Sequence, residues 1–271
     1  MPQQAEDGSS RNSSSEAIAL ESHASNPKCG TADLISKLPS REGWSELIVL
    51  YKNYWLHPYF VESVLRLQNS FKPRHDDIIL TSNPKCGTTW LKALAFAVTN
   101  RFQYDFDNHP LLFRHPQEVH RRHSVDLKTA FNMFSEGFSG YGPFWDHCLE
   151  YWRESIAMPD RVLFLKYEEM LSDPVKYVMK IAAFIGVPFC TKEEEDGVPE
   201  EMVRLCNFEK LSSLYINKTG EYFRHGNMVI ENSAYFRKGK VGDWQNHMSE
   251  EMGRKLDRIV KEKLKGSAFC R

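Results

Sequence analysis

The heptapeptide SNPKCGT occurs twice, at residues 25–31 and 82–88, and its residue types are those of an anion site. A lysine, a glycine and a hydroxyl at the mouth of a helix bring a cation, a close backbone approach and free N–H groups onto one phosphate. That convergence needs a buried strand before the loop and a helix start after it. The second copy has both, with Ile78-Ile79-Leu80 before it and Leu91, Leu94, Ala95 and Val98 at helical spacing after it. The first copy follows a serine-rich stretch and precedes Ala32-Asp33-Leu34, so it reads as a decoy. In PKCGTTW, Lys85 precedes Gly87, whereas a GxxxxGK[ST] loop carries its lysine after the second glycine. An ATP-using P-loop kinase is thereby disfavoured. A second basic cluster, RKGK at 237–240, offers a guanidinium, an ammonium and an unhindered glycine N–H, a combination suited to a phosphate dianion. Standing alone it would read as a solvated turn; beside the first loop it reads as a second anion grip.

The elements that must position these groups follow from periodicity. Asp76 to Thr81 reads as a short buried strand, followed by the loop and a helix from Thr88 to Thr99. Phe144 to Ala157 places Trp145, Cys148, Leu149, Trp152 and Ile156 on one helical face. Arg161 to Leu165 reads as a second strand. Asp173 as N-cap with Pro174 behind it opens a helix running to Gly186, with Val178, Ile181, Ala182 and Ile185 inward. The last helix starts after Ser249, with Glu250 and Glu251 at the positive end of its dipole, and stops at Gly266. Alternating strand and helix predicts an α/β fold with a parallel sheet flanked by helices. Such sheets hold about four or more strands, yet Arg101 to Ala130 offers no run that could be a central one. The sheet is expected to be incomplete.

Composition bounds the partners. The 271 residues, 41% of them apolar, suffice for one α/β domain, expected over 34–271, behind a disordered tail at 1–33 rich in Ser, Gln, Asn and Glu. With 35 basic and 36 acidic residues the net charge is −1, so no global field draws nucleic acid or an anionic membrane, and any anion site is local. No apolar run approaches the roughly 18 residues that cross a bilayer. No basic and apolar leader opens the chain, so a cytoplasmic setting is expected and the sequons at Asn12 and Asn217 read as chance. The six cysteines lack C-x-x-C or zinc spacing, so free thiols and no metal site are expected. Trp44, Tyr51, Tyr54, Trp55, Tyr59 and Phe60 crowd a short span, as core or as the lining of an acceptor pocket.

PKCGTTWLKAL resembles the 5'-phosphosulfate loop of the cytosolic sulfotransferases, and RKGKVGDW at 237–244 resembles their 3'-phosphate motif. NHPLL at 108–112, YGPFWDHCLEYW at 141–152, VLFLKYEEM at 162–170 and the closing EEMGRKLDRIVKEKLKGS extend the likeness, whose wording is nearest the plant members. The resemblance implies a P-loop-like fold and transfer of a sulfuryl group from 3'-phosphoadenylyl sulfate (PAPS) to a hydroxyl of a small molecule. Flavonoid, steroid-like, jasmonate-like and desulfoglucosinolate acceptors are all implied, as is a monomer or weak homodimer. It assigns Lys85 to stabilising the departing nucleotide, and Cys86, Gly87, Thr88 and Thr89 to the 5'-phosphate. Trp90 is assigned to stacking on adenine and Tyr167 to contacting the nucleotide, and Arg237, Lys238 and the Gly239 N–H to the 3'-phosphate.

The family pattern also continues after NHPLL through several tens of residues that hold a base histidine and a central strand. Here the chain passes from about 114 to 125 straight into Val125-Asp126-Leu127. The shortage of strands and the break in the pattern fall at the same place, which implies an internal deletion. His109 matches a family histidine other than the base; His115, His120 and His123 lie beside the break. The alternative reading is an inactive relic that at most binds PAPS or its product, 3'-phosphoadenosine 5'-phosphate (PAP).

Overall fold

The computed structural model describes residues 28–44, 47–74, 76–83, 86–113, 127–224 and 228–270. The chain divides between Lys37 and Leu38. On the N-terminal side, α1 (Lys28–Ser36) is held by the Lys37 Nζ to Asp33 Oδ2 pair at 2.7 Å and by the Ser36 hydroxyl donating to the Asp33 carbonyl. The boundary expected between 33 and 34 therefore falls inside a helix. Lys28 to Thr31, the end of the first SNPKCGT copy, are helical here.

In the second unit the chain begins with an antiparallel sheet of β1 (Ser40–Arg41), β2 (Ile48–Tyr51) and β3 (Tyr54–Leu56). Tyr51 faces Tyr54 across a two-residue turn whose Lys52 and Asn53 have φ of 47° and 68°, the positive values that match hairpin twist. A second antiparallel pair, β4 (Glu221–Arg224) and β5 (Met228–Glu231), lies far along the chain.

The two stretches expected to be buried parallel strands carry no strand pairing. Ile78 and Ile79 are 50% and 67% exposed, and 162–166 runs without a ladder partner. A strand exists only by hydrogen bonding to at least one neighbour, and among the described residues neither stretch has a ladder partner. The expected incompleteness of the sheet is seen here as the absence, among the described residues, of any ladder that includes either segment.

Helices carry the core. α3 (Thr88–Asn100) packs on α7 (Pro174–Phe184) and α9 (Val198–Cys206). Ala93, Leu94, Ala97 and Val98 of α3 meet Val178, Ile181 and Ala182 of α7 and Met202, Leu205 and Cys206 of α9. Each buried Leu, Ile or Met contributes about 1.5–3 kcal/mol, so this triple contact fixes where α3 begins. Asp173 caps α7 by accepting from the Lys176 amide, with Pro174 at its first turn, as the sequence predicts.

The remaining helices are α2 (Pro58–Ser70), α4 (Leu127–Ser135), α5 (Phe144–Ala157), α6 (Tyr167–Ser172), α8 (Thr191–Glu195), α10 (Phe208–Ser213), α11 (Tyr215–Thr219) and α12 (Glu250–Lys263). Ser249 caps α12 by accepting from the Met252 amide. On α5, Trp145 and Leu149 are buried with Leu264, but Ile156 is 61% exposed, so the apolar face predicted there ends a turn early. Trp44 and Trp55 pack on Ile48, Met133 and Phe138.

Candidate functional site: an anion loop facing a tyrosine-lined cavity

The extended segment ending at Thr81-Ser82-Asn83 turns into α3 through Cys86 and Gly87; Pro84 and Lys85 lie outside the described residues. The Cys86 amide donates to the Asn83 carbonyl at 3.2 Å, closing the turn. Gly87 is the N-cap of α3 at φ +89°, a left-handed conformation, and a Cβ there would sit 3.1 Å from the Tyr167 ring. Glycine is therefore required twice over, by dihedral and by space. The Ser82 and Thr88 hydroxyls share a hydrogen bond that ties the loop to the first turn. No acidic residue occupies that turn and no side chain caps it, so its leading amides and the positive dipole end face outward, where an anion is stabilised.

Trp90 and Tyr167 meet edge to face beside this turn, ring centroids 5.9 Å apart. Tyr167 opens α6, and burial together with Glu168 pushes its phenol upward, keeping it protonated. The Trp90 Nε1 is buried without a hydrogen-bond partner. A buried donor left unpaired costs about 1–3 kcal/mol, which a ligand acceptor placed here would offset. Cys86 is exposed, Cys148 and Cys206 are pushed up to about 12 by burial, and these three with Cys190 are free thiols as predicted.

The second basic cluster is organised by a residue to which the sequence reading gave no role. Arg237 Nη1 lies 2.6 Å from Asp243 Oδ2 and Lys238 Nζ 2.8 Å from Asp243 Oδ1, while the Asp243 side chain is only 4% exposed. The Asn246 amide also donates to Asp243, and His247 Nε2 lies 3.4 Å from it. The hydrogen bonds from Lys238 and Asn246, with the charge of Arg237, hold the Asp243 carboxyl well below the usual carboxylate range. Gly239 has φ +60°, and a Cβ there would stand 2.5 Å from Phe208. Phe236, the neighbour of Arg237, packs on the same core as Trp90. The structure thus groups the described site residues in two clusters, one around Gly87, Trp90 and Tyr167 and one around Asp243.

A cavity of about 580 Å³ opens against the first cluster, with Ser82, Asn83 and Thr88 on its loop side. Tyr51, Lys52 and Tyr54 come from the β2–β3 hairpin, Val64 and Gln68 from α2, and His147, Glu150 and Tyr151 from α5. The aromatic run near the N-terminus therefore divides, with Trp44 and Trp55 in the core and Tyr51 and Tyr54 in the cavity wall. Glu150 accepts a hydrogen bond from the Tyr54 hydroxyl. His147 and Glu150, to which the sequence reading gave no role, also line the cavity; the signal was their i, i+3 spacing on a helix whose other face is apolar.

His109 is 1% exposed, accepts from the Leu111 amide at 3.2 Å and is boxed by Phe96 and Tyr104. It does not line the cavity. His115, His120 and His123 lie outside the described residues. Among the described residues no group of three or more His, Cys, Asp or Glu is placed to hold a metal, and no helix is long and apolar enough to cross a membrane.

A glycine-opened anion helix beside an aromatic pair, on an α/β framework, defines a P-loop-like transferase. The family model for the sulfotransferase domain matches the chain as two stretches, residues 75–124 and 117–268. Cytosolic sulfotransferase 17 of Arabidopsis thaliana is 36% identical, with 88% of this chain and 89% of that protein aligned. Flavonol 3-sulfotransferase of Flaveria bidentis is 36% identical over 79% of this chain and 90% of that protein. A solved Arabidopsis thaliana sulphotransferase is 28% identical with a TM-score of 0.64, covering 88% of this chain and 93% of that one. A mouse sulfotransferase complexed with PAP, 23% identical with a TM-score of 0.56 over 81% and 96%, shares the fold. The chain belongs to the sulfotransferase family, alongside plant members named as cytosolic. The alignment to cytosolic sulfotransferase 17 runs over 308 positions but takes in 88% of these 271 residues, so about 70 positions have no counterpart here.

Proposed function

We propose that this chain binds PAPS and transfers its sulfuryl group to a hydroxyl of a small-molecule acceptor in the cytoplasm. One observation carries this reading: the left-handed Gly87 opens α3 against Tyr167 and Trp90 at the edge of a 580 Å³ cavity. The residues fit the donor. The first-turn amides with Thr88 and Thr89 suit a 5'-phosphate, the unpaired Trp90 Nε1 and the Tyr167 ring suit the nucleoside, and Cys86 lies in the turn between them. Arg237, Lys238 and the Gly239 N–H suit the 3'-phosphate that separates this donor from ATP. Asp243 keeps the two cations ordered by holding one on each carboxylate oxygen.

When bound, the donor supplies an activated sulfuryl group on a phosphate leaving group. The chain's part is positioning and charge stabilisation, as in phosphoryl transfer, with Lys85 offsetting charge on the departing phosphate. Tyr51, Tyr54, Tyr141 and Tyr151 line the cavity and favour a flat, hydroxylated acceptor; relatives named as flavonol sulfotransferases agree with that class. We read the positions without counterpart as an internal deletion near residues 114–125, where the two family matches meet, and the chain as a monomer or weak homodimer.

Titration calorimetry with PAP, with ADP as control, tests the donor site. PAP-selective binding that weakens at least about tenfold in Arg237→Ala, some 1.4 kcal/mol, is the expected result. Equal affinity for ADP, or no binding by a cooperatively melting protein, would refute it. A transfer assay then separates turnover from donor binding alone.

A further inference from the structure

We propose that His147 is the general base that takes the proton from the acceptor hydroxyl. This rests on the sulfotransferase reading above. Four histidine side chains are described, and three have other places. His109 is buried as the cap of a turn, His247 leans on Asp243, and His57 stacks on Tyr59. His147 alone of the four lines the cavity that reaches Ser82, Asn83 and Thr88. An acceptor occupying that cavity lies between the anion loop and the imidazole.

The neighbours of His147 suit a base. Glu150 follows one turn later on α5 and lines the same cavity. The Tyr54 hydroxyl donates to Glu150, and burial with the Glu150 contact pushes that phenol well up, so Tyr54 remains a donor to it. Burial lowers the imidazole's proton affinity while Glu150 opposes this, leaving His147 neutral at neutral pH and beside a carboxylate that steadies the imidazolium. The other titratable groups around the cavity are Lys52 and Tyr51 on the hairpin, Tyr141 on the loop before α5, and Tyr151, whose ring centroid lies 4.9 Å from that of His147.

In the step, the acceptor oxygen forms a bond to sulfur as its proton passes to the His147 imidazole. The bond from sulfur to the 5'-phosphate oxygen breaks, its electron pair leaves on PAP, and the imidazolium then returns the proton to solvent. Atoms, charge and electrons balance without another reactant.

The test uses the full chain, PAPS and two phenols. 4-Methylphenol, with a pKa of about 10 like tyrosine, needs a base; 4-nitrophenol, which ionises close to neutral pH and is already in large part its own anion there, needs one far less. In His147→Asn, kcat on 4-methylphenol is expected to fall at least about 100-fold, and on 4-nitrophenol by no more than about threefold. Added imidazole should restore part of the loss, and the acid limb of the kcat profile should vanish. PAP affinity and the melting temperature, measured on His147→Asn and on His147→Gln, should stay at wild-type values. Equal losses on both phenols, no loss on either, or failure of imidazole rescue would overturn the assignment. A wild-type chain that binds PAP but transfers to neither phenol would overturn it while leaving the donor site standing. A chain that does not bind PAP would overturn the donor reading itself.

Discussion

Gly87 and Gly239 show how much of the site depends on a missing methyl group. Gly87→Ala places a Cβ 3.1 Å from Tyr167 in a left-handed backbone, which for a non-glycine residue costs about 1–2 kcal/mol. PAP affinity in calorimetry is expected to fall about tenfold or more. Gly239→Ala drives a carbon to 2.5 Å from Phe208, and overpacking of this kind costs about 1–3 kcal/mol, readable in a urea melt. Asp243 sets a pH dependence of definite sign. Its carboxyl is held low in the folded chain by Lys238, Asn246 and Arg237, so its stabilising contribution is complete above the ordinary carboxylate value of about 3.9 and drains away as pH falls below it. Asp243→Asn should therefore lower the melting temperature at neutral pH and flatten its decline in acid, whereas an unchanged acid slope would contradict this.

At the scale of elements, the frame that places the anion helix is anchored at its far end. Arg101, just past α3, donates from Nε to Glu193 of α8 at 2.7 Å and from Nη2 to the Pro188 carbonyl, with its side chain 3% exposed. Glu193 in turn accepts from the Cys190 amide and is lowered chiefly by Arg101. Removing one member of a buried pair strands the other, so Arg101→Ala is expected to cost about 3–5 kcal/mol in denaturant unfolding. Asp173→Ala removes only a helix cap and should cost about 1 kcal/mol. If the two variants were equally destabilised, the Arg101 contacts would be ordinary surface pairing.

For the whole molecule, the consequence of the unformed ladder is an apolar segment in water. Ile79 is 67% exposed, so Ile79→Lys should change stability by less than about 0.5 kcal/mol and reduce aggregation on heating, followed by light scattering. In a completed sheet the same change would bury a charge and abolish the cooperative melt. The core of α3, α7 and α9 holds together without that sheet, which is why the loop keeps its turn and its helix although the segment before it has no ladder partner among the described residues.

The two candidate anion clusters were legible because each depends on a short run of residue types: a glycine at a helix mouth, and a guanidinium, an ammonium and a glycine in succession. The helices α3, α5, α7 and α12 were legible for a similar reason, since a 3.6-residue period and a capping oxygen are local properties. Even the shortage of strands could be counted. The sequence alone could not say what an extended apolar run does when its pairing partner is absent, because pairing is a relation between distant segments; Ile78-Ile79-Leu80 reads as buried and stands exposed. Flanking context separated two uses of the same letters, but not their conformations: CGT lies within a helix at 29–31 and turns into one at 86–88, where the downstream residues of α3 pack into the core. Only the tertiary structure brought Asp243 under Arg237 and Lys238, and set His147 and Glu150 across a cavity from Thr88. Thr88 and the α5 pair belong to elements far apart in the chain, and only packing decides where such elements meet; Asp243 is near its two cations in sequence, but its burial under them is set by the fold.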